Sequence, residues 1–432
     1  MAKEHKRVSL SLGWQLRGYL MLRPVLQPVM RAVVARRVAR GKDDPARAQE
    51  KLGQAGMARP DGTLIWLHAV GLGEVLALRP LLRVMGALMP EAHFLVTSTA
   101  RSSAQVLGAN LPPRVIHQFL PLDGPRYVAR FLDHWQPDLS IWSEQDLWPG
   151  VIVDSARRGV PLAYINARIT QGGFERRHKL RAGFKDLMQL FAVVAAQEPT
   201  SAEFLQRLGA TDPQVMPSLK PAAAPLNVDT VSLAEMRDTL AGRHTWVVAS
   251  SHAPDEAVAT AAHKQVLKSD PEALLIVAPR APERGAEICS GLAESGLRCA
   301  QRSLGERLEK SHQVYVADTL GELGLWYRLA QVALIGGSFG DTEGHNPWEA
   351  IVVGCPVMCG PNTANFARDY LQLEGEGLAH RISGEGQAAG QMAEWVRAGQ
   401  HTTATTRAKG LVAEAQEALL PLARQLLSLR KA

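Results

Sequence analysis

Acidic residues follow two apolar runs in the first half of the sequence, where a carboxylate could meet a bound molecule. In WLHAVGLGEV, residues 66–75, Glu74 comes directly after a turn that contains Gly71 and Gly73. Glycines there permit tight backbone geometry and close approach by a ligand. Carboxylates also favour helix N-termini for structural reasons alone, by about 0.3 to 1 kcal/mol. His68, at the end of the apolar run, is more typical of a core histidine than of a catalyst.

A second acidic turn, IWSEQDLWPG, places Glu144 and Asp146 two residues apart. In an extended segment both side chains leave the same face, which is costly for two carboxylates unless a cation or a hydroxyl-rich molecule lies between them. Two solvated acids on a surface loop are the alternative. Arg168 then ends the run PLAYINAR, and the basic segment ERRHKLR follows. That segment would suit an acceptor with phosphates, or it forms a solvated helix face.

Turns in the second half contain residue types that bind phosphates and sugars. Ser251 and His252 end the run TWVVASSH, where Ser251 is also the simplest N-cap for the next helix. Arg280 follows another apolar run, and its guanidinium could form a fork of hydrogen bonds with a phosphate or a carboxylate.

The glycine-rich turn IGGSFGDTEGHNPWEA, residues 335–350, has the most candidates. Its backbone amides would cradle a phosphate. Asn346 and Pro347 resemble an N-cap followed by proline at the first helical position, and Glu349 could reach ribose hydroxyls. The turn is not a Walker A sequence, because no GK[ST] follows it.

The elements that must position these residues alternate between short apolar runs and amphipathic stretches. This alternation predicts βαβ units and parallel sheets, whose ligands bind beyond the carboxyl ends of the strands. A chain of 432 residues exceeds the usual size of one core, so we expect two doubly wound halves and a closing helix. The predicted divisions are a basic apolar segment at 1–45, a first domain at 46–218, a linker at 219–229, a second domain at 230–403 and a C-terminal helix at 404–432.

Positive charge is concentrated at the start of the chain, where residues 1–50 hold eleven Lys or Arg against four Asp or Glu. No uncharged stretch there approaches the roughly 18 residues of a spanning helix, and no signal-peptide cleavage site follows. Docking on an anionic membrane through residues 8–40 is one interpretation, and a domain-capping helix with solvated arginines is the other. The body of the chain has no basic stripe with aromatic residues, which argues against nucleic-acid binding. The four cysteines form no CxxC pair and predict reduced thiols without a zinc site.

Several of these motifs together resemble the 3-deoxy-D-manno-octulosonic acid (Kdo) transferases of lipopolysaccharide assembly. The matching segments, in chain order, are HAVGLGE, EQDLWP, NAR, SLK, SSH, PRAPER, LGELGLWY, GGSFGDTEGHNPWEA and GPNTANF. The resemblance implies a GT-B glycosyltransferase fold, with two Rossmann-like domains that face each other across a cleft. It also implies an inverting, metal-independent transfer of Kdo from CMP-Kdo to a lipid A precursor (lipid IVA), at the cytoplasmic face of the bacterial inner membrane. No cofactor is implied beyond the donor substrate.

The same resemblance assigns roles to individual residues. It implies that Glu74 is the catalytic base. The implied acceptor-binding residues are Gly71, Gly73, Glu144, Asp146 and Arg168. The implied CMP-binding residues are Ser251, His252, Arg280, Gly337, Ser338, Asn346 and Glu349.

The chain departs from the family pattern at five positions. The departures are Gly71 for a serine, Asp146 for a glutamate, Ala281 for a histidine, Glu343 for a glycine and Asn362 for a histidine. Two further interpretations stay open. One is a diverged paralog with another donor or acceptor, or with no catalysis. The other is a GT-B-like sugar-nucleotide 2-epimerase.

Overall fold

The computed structural model describes residues 8–99, 114–144, 147–216, 218–382, 386–398 and 401–430. The chain divides into two compact units, Met1–Lys220 with Ala415–Ala432, and Pro221–Glu414. The change of unit after Lys220 falls inside the linker predicted at 219–229.

The first unit is built on a parallel sheet of seven strands among the described residues, in the order β3-β2-β1-β4-β5-β6-β7. Every residue of β1 is buried, as expected for a parallel strand covered by helices on both faces. The strands are β1 Leu64–His68, β2 His93–Ser98, β3 Val115–Phe119, β4 Leu139–Ser143, β5 Leu162–Ala167, β6 Val193–Ala196 and β7 Gln214–Val215. The helices up to the end of this sheet are α1 Trp14–Ala39, α2 Leu72–Ala77, α3 Arg79–Leu88, α4 Pro125–Trp135, α5 Pro149–Arg157, α6 Gln171–His178, α7 Arg181–Met188 and α8 Pro199–Arg207.

The second unit repeats this architecture with the strand order β10-β11-β9-β8-β12-β13-β14, again all parallel within the described chain. The strands are β8 Thr245–Ser251, β9 Leu274–Pro279, β10 Cys299–Gln301, β11 Val314–Val316, β12 Ala333–Ile335, β13 Val357–Cys359 and β14 Ala379–Arg381. The helices from here to the end of the chain are α9 Thr230–Thr239, α10 Ala253–Ser269, α11 Gly285–Glu294, α12 Leu323–Leu329, α13 Trp348–Ile351, α14 Ala367–Gly375, α15 Ala388–Arg397, α16 His401–Glu417 and α17 Leu419–Ser428. Short 3₁₀ turns are Ala48–Leu52, Pro282–Arg284 and Ala364–Phe366.

Each sheet reverses its direction of growth beside its first strand. In the first unit the chain adds β2 and β3 on one side of β1 and then returns to place β4 on the other side. In the second unit β9 and β12 flank β8 in the same way. Open α/β sheets bind ligands outside the carboxyl ends of the strands at such switch points. The turns after β1 and β4, and those after β8 and β12, are therefore the expected binding positions.

Helix α1 belongs to the first unit and is apolar on two faces. One face buries Leu16, Arg23 and Val34 against the unit. The other exposes large apolar side chains at helical spacing, with Trp14 77% and Val25 73% exposed. The exposed apolar residues of this helix are Trp14, Met21, Leu22, Val25, Leu26, Val29 and Val33. None of the described helices is both long and apolar enough to cross a membrane.

An ion-pair network holds α1 against the start of α5. The buried Arg23 guanidinium lies 3.1 Å from Asp123 Oδ1 and 2.9 Å from Asp154 Oδ2. Asp123 Oδ2 also accepts hydrogen bonds from the Tyr19 hydroxyl at 2.6 Å and from the Gly150 amide at 2.8 Å. Arg23 Nε also donates to the Asp123 carbonyl oxygen at 2.7 Å, whereas Arg23 Nη2 and Asp123 Oδ1 face each other in the ion pair without hydrogen-bond geometry.

The C-terminal region corrects the prediction of one final helix over 404–432. Two helices are present, α16 and α17, and the chain rejoins the first unit from Ala415 onward. Helix α17 buries Leu419 and Leu426 and packs on α3. The sequence signal for this break is Pro421 in the first turn of α17, because a proline has no N–H to donate to the carbonyl of residue 417 and its ring clashes with that carbonyl.

Gly150→Ala should destabilise the protein by about 3 kcal/mol, because an alanine Cβ would lie 2.1 Å from the Arg23 guanidinium carbon and 2.3 Å from Asp123 Oδ1. Gly172→Ala is the matched control, since Gly172 also occupies the second position of a helix and its Cβ would meet nothing within 4 Å. Urea denaturation of both variants measures the difference. Equal midpoints would contradict the account of how α1 is held.

Candidate active site

Glu74 lies in the first turn of α2, directly after β1, with its side chain half-buried. Its Oε2 accepts hydrogen bonds from the Val70 amide at 2.8 Å and from the Gly71 amide at 3.3 Å. The carboxylate therefore caps its own helix while it remains accessible at the switch point of the first sheet. Both explanations of Glu74, as a residue that stabilises the helix N-terminus and as a catalytic group, are compatible with that position.

The structure pairs Glu144 with Glu74. Glu144 follows β4, and its carboxyl lies beside that of Glu74, close enough for the two groups to interact electrostatically. Burial, followed by the charge of Glu74, raises the pKa of Glu144 to about 7, while Lys220 and Arg168 oppose that rise. Two carboxyls in contact are stable only when one of them holds a proton. The sequence had suggested a pair with Asp146, but Asp146 lies outside the described residues.

The backbone around Glu144 is unusual. Glu144 has a left-handed conformation, with φ of 65°, and so does Asn166, with φ of 52°. The Tyr164 hydroxyl donates to the Glu144 carbonyl oxygen, and the Asn166 amide donates to Glu144 Oε1 at 3.2 Å. The pairing of β5 with β6 is irregular between Tyr164 and Ala167, so Asn166 lies in a bulge. Sequence reasoning gave Asn166 and Tyr164 no role in the site, because a bulge leaves no signal in an apolar run.

Three other residues near Glu74 were considered in the sequence: Gly71, Gly73 and His68. The Gly71 backbone has φ of −100°, and a Cβ there would meet nothing within 4 Å. A serine would therefore fit, and nothing in the structure explains the glycine. Gly73 is part of α2. His68 is buried, with Nδ1 3.0 Å from Thr97 Oγ1, and burial lowers its pKa to about 3, as expected for a core histidine.

The predicted N-cap at Ser251 is wrong by one residue. Helix α10 is capped at His252, whose amide donates to Asp255 Oδ2 at 2.9 Å. Ser251 is buried and donates its hydroxyl proton to Glu256 Oε1 at 2.8 Å, and Arg284 forms a fork of two bonds with the same carboxylate. Ser251 therefore orders the turn through Glu256.

Asp255 binds three backbone amides of the glycine-rich turn, where a phosphate was predicted to bind. This buried carboxylate accepts hydrogen bonds from the amides of Gly337 at 2.7 Å, Ser338 at 3.2 Å and Phe339 at 3.1 Å. The Ser338 hydroxyl is also internal, since it donates to Ile335 and accepts from the Gly360 amide. The amides of Gly337 and Ser338 therefore bind an anion that belongs to the protein, and CMP binding by these two residues stays a prediction.

Three predicted donor residues do come together. Arg280, Asn346 and Glu349 line one cavity of about 330 Å³ in the second unit. Residues that sequence reasoning did not propose as donor contacts complete its wall. They are Leu226, Ser250, Gly321, Leu323, Tyr327, Ile335, His345 and Phe366.

Glu349 interacts with two other residues of this cavity, Arg280 and Asn346. Burial raises the pKa of Glu349, and the Arg280 charge and a hydrogen bond with Asn346 oppose the rise. Asn346 Oδ1 accepts from the Trp348 amide at 3.1 Å, but the N-cap of α13 is Pro347, so the predicted N-cap at Asn346 is wrong by one residue. That helix has only four residues, and the dipole it can present to a phosphate is correspondingly small.

His252 lies beside the cavity through a contact with His345. The two Nε2 atoms are 2.9 Å apart, and the rings stack at 5.2 Å between centroids. Burial, with the nearby His252 and Arg280, lowers the pKa of His345. The two rings can therefore share one hydrogen bond at the wall of the cavity.

Two of the five departures from the family pattern line a second cavity of the same unit. Glu343 and Asn362 both line a space of about 620 Å³. Glu343 has a left-handed backbone with φ of 62°, a conformation that glycine adopts without cost. Asn362 donates to the Gly340 carbonyl at 3.1 Å. Within the described residues no three His, Cys, Asp or Glu side chains lie close enough to hold a metal, and metal independence stays a prediction.

Comparison with known proteins identifies relatives over most of the chain. Residues 46–223 match the family model described as 3-deoxy-D-manno-octulosonic-acid transferase. A probable mitochondrial 3-deoxy-D-manno-octulosonic acid transferase of Arabidopsis thaliana is 34% identical over 360 residues, covering 81% of this chain and 80% of the relative. The 3-deoxy-D-manno-octulosonic acid transferase of Rickettsia bellii is 30% identical, covering 83% and 86%.

Solved structures confirm the expected fold class. The UDP-GlcNAc 2-epimerase of Neisseria meningitidis, bound to UDP-GlcNAc, aligns with a TM-score of 0.57 at 12% identity, covering 85% of this chain and all of that one. A putative UDP-N-acetylglucosamine 2-epimerase of Listeria monocytogenes aligns at 0.53 and 10% identity, covering 85% and 95%. Similarity at such low identity shows the fold alone, which is the GT-B type with two Rossmann-like α/β sheets.

Asp255→Asn should lower the free energy of unfolding by about 3 kcal/mol, because the new NH₂ group would face backbone N–H donors that now share a carboxylate. Asp229→Asn is the control, since Asp229 is an exposed N-cap and asparagine caps equally well. Urea unfolding distinguishes the two. If Asp255→Asn were as stable as its control, the amides of the glycine-rich turn would not depend on this carboxylate.

Proposed function

We propose, because this chain belongs to the 3-deoxy-D-manno-octulosonic acid transferase family, that it transfers Kdo from CMP-Kdo to a lipid A precursor. The acceptor we propose is lipid IVA, in the assembly of the lipopolysaccharide core. The observation that supports this function best is the position of Glu74, a half-buried carboxylate at the switch point of the first sheet.

Glu74 supplies the base that an inverting transfer needs. In the proposed reaction it takes the proton of the acceptor hydroxyl as that oxygen bonds to the anomeric carbon of Kdo. The bond from that carbon to the CMP phosphate breaks, and CMP leaves with the electron pair. The Val70 and Gly71 amides fix Glu74 Oε2, so the carboxylate is oriented before the acceptor binds. A positioned base of this kind accelerates a reaction by about 10² to 10⁴-fold.

The donor nucleotide is assigned to the cavity of about 330 Å³ in the second unit. Glu349 can accept hydrogen bonds from ribose hydroxyls, and the exposed Arg280 guanidinium offers donors to the phosphate. Tyr327 and Phe366 provide aromatic wall for the cytosine ring. Since Arg280 already carries a positive charge, charge that develops on departing CMP has a fixed partner, and we expect the reaction to need no metal.

The exposed face of α1 is assigned to the membrane in which the acceptor lies. Its apolar residues are flanked on the same helix by arginines, including Arg17, Arg31 and Arg36. Apolar side chains with basic neighbours suit the boundary of an anionic bilayer. The Arg23 network joins the opposite face of α1 to the first unit. The helix therefore covers the first unit with one face and docks on the membrane with the other. We propose peripheral attachment to the cytoplasmic face of the bacterial inner membrane.

Glu74→Gln should reduce product formation from CMP-Kdo and lipid IVA by at least about 100-fold, because the amide retains an oxygen for the cap but cannot take a proton. Mass spectrometry of the lipid product measures this and counts the Kdo units added. The urea midpoint of the variant should stay close to that of the wild type. Full activity in Glu74→Gln would exclude Glu74 as the base. No product from the wild type, with CMP still bound, would indicate another donor or acceptor.

A Met21→Ser and Val25→Ser double variant should bind vesicles of anionic phosphatidylglycerol at least about fivefold more weakly, since it removes two of the most exposed apolar side chains of α1. Leu304→Ser is the matched control, because Leu304 is 67% exposed in the second unit. Co-sedimentation measures the bound fraction. Equal binding by the double variant and its control would contradict docking through α1.

A further inference from the structure

The Glu144 carboxyl is held more firmly than a surface acid would be. Its left-handed backbone conformation is unfavourable in a residue other than glycine. Three contacts maintain that conformation: the Glu144 amide donates to Ile165, Tyr164 donates to its carbonyl, and Asn166 donates to its carboxyl. The sheet gains nothing from two acidic groups in contact, so this arrangement points to the chemistry of the pair.

Asn166 is itself locked in place. It is 4% exposed, its amide N–H donates to Met216 Sδ at 3.2 Å, and its carbonyl accepts from Gln197 Nε2 at 3.0 Å. The bulge in β5 turns its side chain so that Nδ2 donates to Glu144 Oε1. A donor at Oε1 requires an oxygen without a proton there. The proton of a neutral Glu144 carboxyl is therefore left on its other oxygen, and it can be donated to Glu74.

We propose that Asn166 is a positioning residue that holds Glu144 as a proton-sharing partner of Glu74. The inference rests on the proposed function, in which Glu74 takes the proton of the acceptor hydroxyl. The pair starts with one proton, on Glu144, and a carboxylate on Glu74. After transfer both carboxyls hold a proton, and one proton passes to water to restore the starting state. Glu144 thus keeps Glu74 ionised and aimed without itself touching the reacting atoms.

The charged groups around Glu144 set the pH at which this arrangement fails. Glu74 and burial favour its neutral form, and Lys220 and Arg168 favour its ionised form. The resulting pKa of about 7 means that Glu144 loses its proton as the pH rises through neutrality. Two adjacent carboxylates then repel each other, so activity should fall on the alkaline side.

The test compares the pH dependence of kcat in the wild type, Glu144→Gln and Asn166→Ala. The wild type should lose activity as the pH rises through about 7. Glu144→Gln keeps an N–H donor toward Glu74 and lacks the titrating proton, so its kcat should stay within about tenfold and show no such fall. Asn166→Ala should be about fivefold slower at pH 6.5. Its alkaline fall should move up by about half a pH unit, because a lost donor disfavours the ionised carboxyl.

Gln136→Ala is the matched control, since Gln136 is another amide residue of the first unit with a positive φ, of 41°. Its profile should superimpose on that of the wild type. A purely structural role for Asn166 would lower kcat or stability and leave the alkaline fall in place, and that result would overturn the proposal. Glu144→Gln with a wild-type profile would overturn it as well.

A second readout separates this inference from the transfer reaction. Because folding raises the pKa of Glu144, the folded state holds a proton that the unfolded state releases between about pH 4.5 and 7. The urea midpoint of the wild type should therefore fall from pH 5 to pH 8 relative to that of Glu144→Gln. This result without Kdo transfer would retain the proton-sharing pair and reject the proposed function. Parallel midpoints would reject the pair, whatever the activity.

Discussion

Contact between two carboxyl groups, those of Glu74 and Glu144, is the constraint on which the first unit's site depends. Such contact is unfavourable unless a proton lies between the groups, and the surrounding fold is arranged to keep it there. Backbone amides orient Glu74, and Asn166 orients Glu144 from the neighbouring strand. Each of these groups lies where β1, β4 and β5 end, so the order of strands in the sheet brings them together.

The second unit uses a buried carboxylate differently. Asp255 occupies the amides of the glycine-rich turn and fixes the path of the chain from β12 toward His345 and Asn346. Those two residues then line the cavity with Arg280 and Glu349. The Asp255 carboxylate therefore fixes the conformation of the turn. Because it occupies the amides of residues 337–339, recognition of a nucleotide is left to side chains. The two units therefore use carboxyl groups in different ways, although both are built on the same type of sheet.

Much of this arrangement follows from the sequence. Alternating apolar runs predict two parallel sheets, and the family motifs fall at their strand ends because the switch points lie there. The Glu74–Glu144 pair could not be predicted, because it depends on the distance between two turns 70 residues apart. It also depends on left-handed backbone at Glu144, directly after β4, and at Asn166, within β5. The binding of Asp255 to the amides of the glycine-rich turn could not be predicted either, since the sequences of glycine-rich turns are similar whether they bind a ligand or a side chain. The two apolar faces of α1 weaken the helical periodicity that would separate docking from capping.

The most direct test of the acid pair is a ¹³C NMR titration of the protein with labelled glutamate carboxyl carbons. The account predicts one carboxyl with a pKa of about 7 in the wild type. That signal should be missing in Glu144→Gln and should move to lower pH in Glu74→Gln, because the neighbouring negative charge is removed. A wild-type spectrum in which every glutamate titrates near its ordinary range of about 4 to 5 would contradict the shared proton.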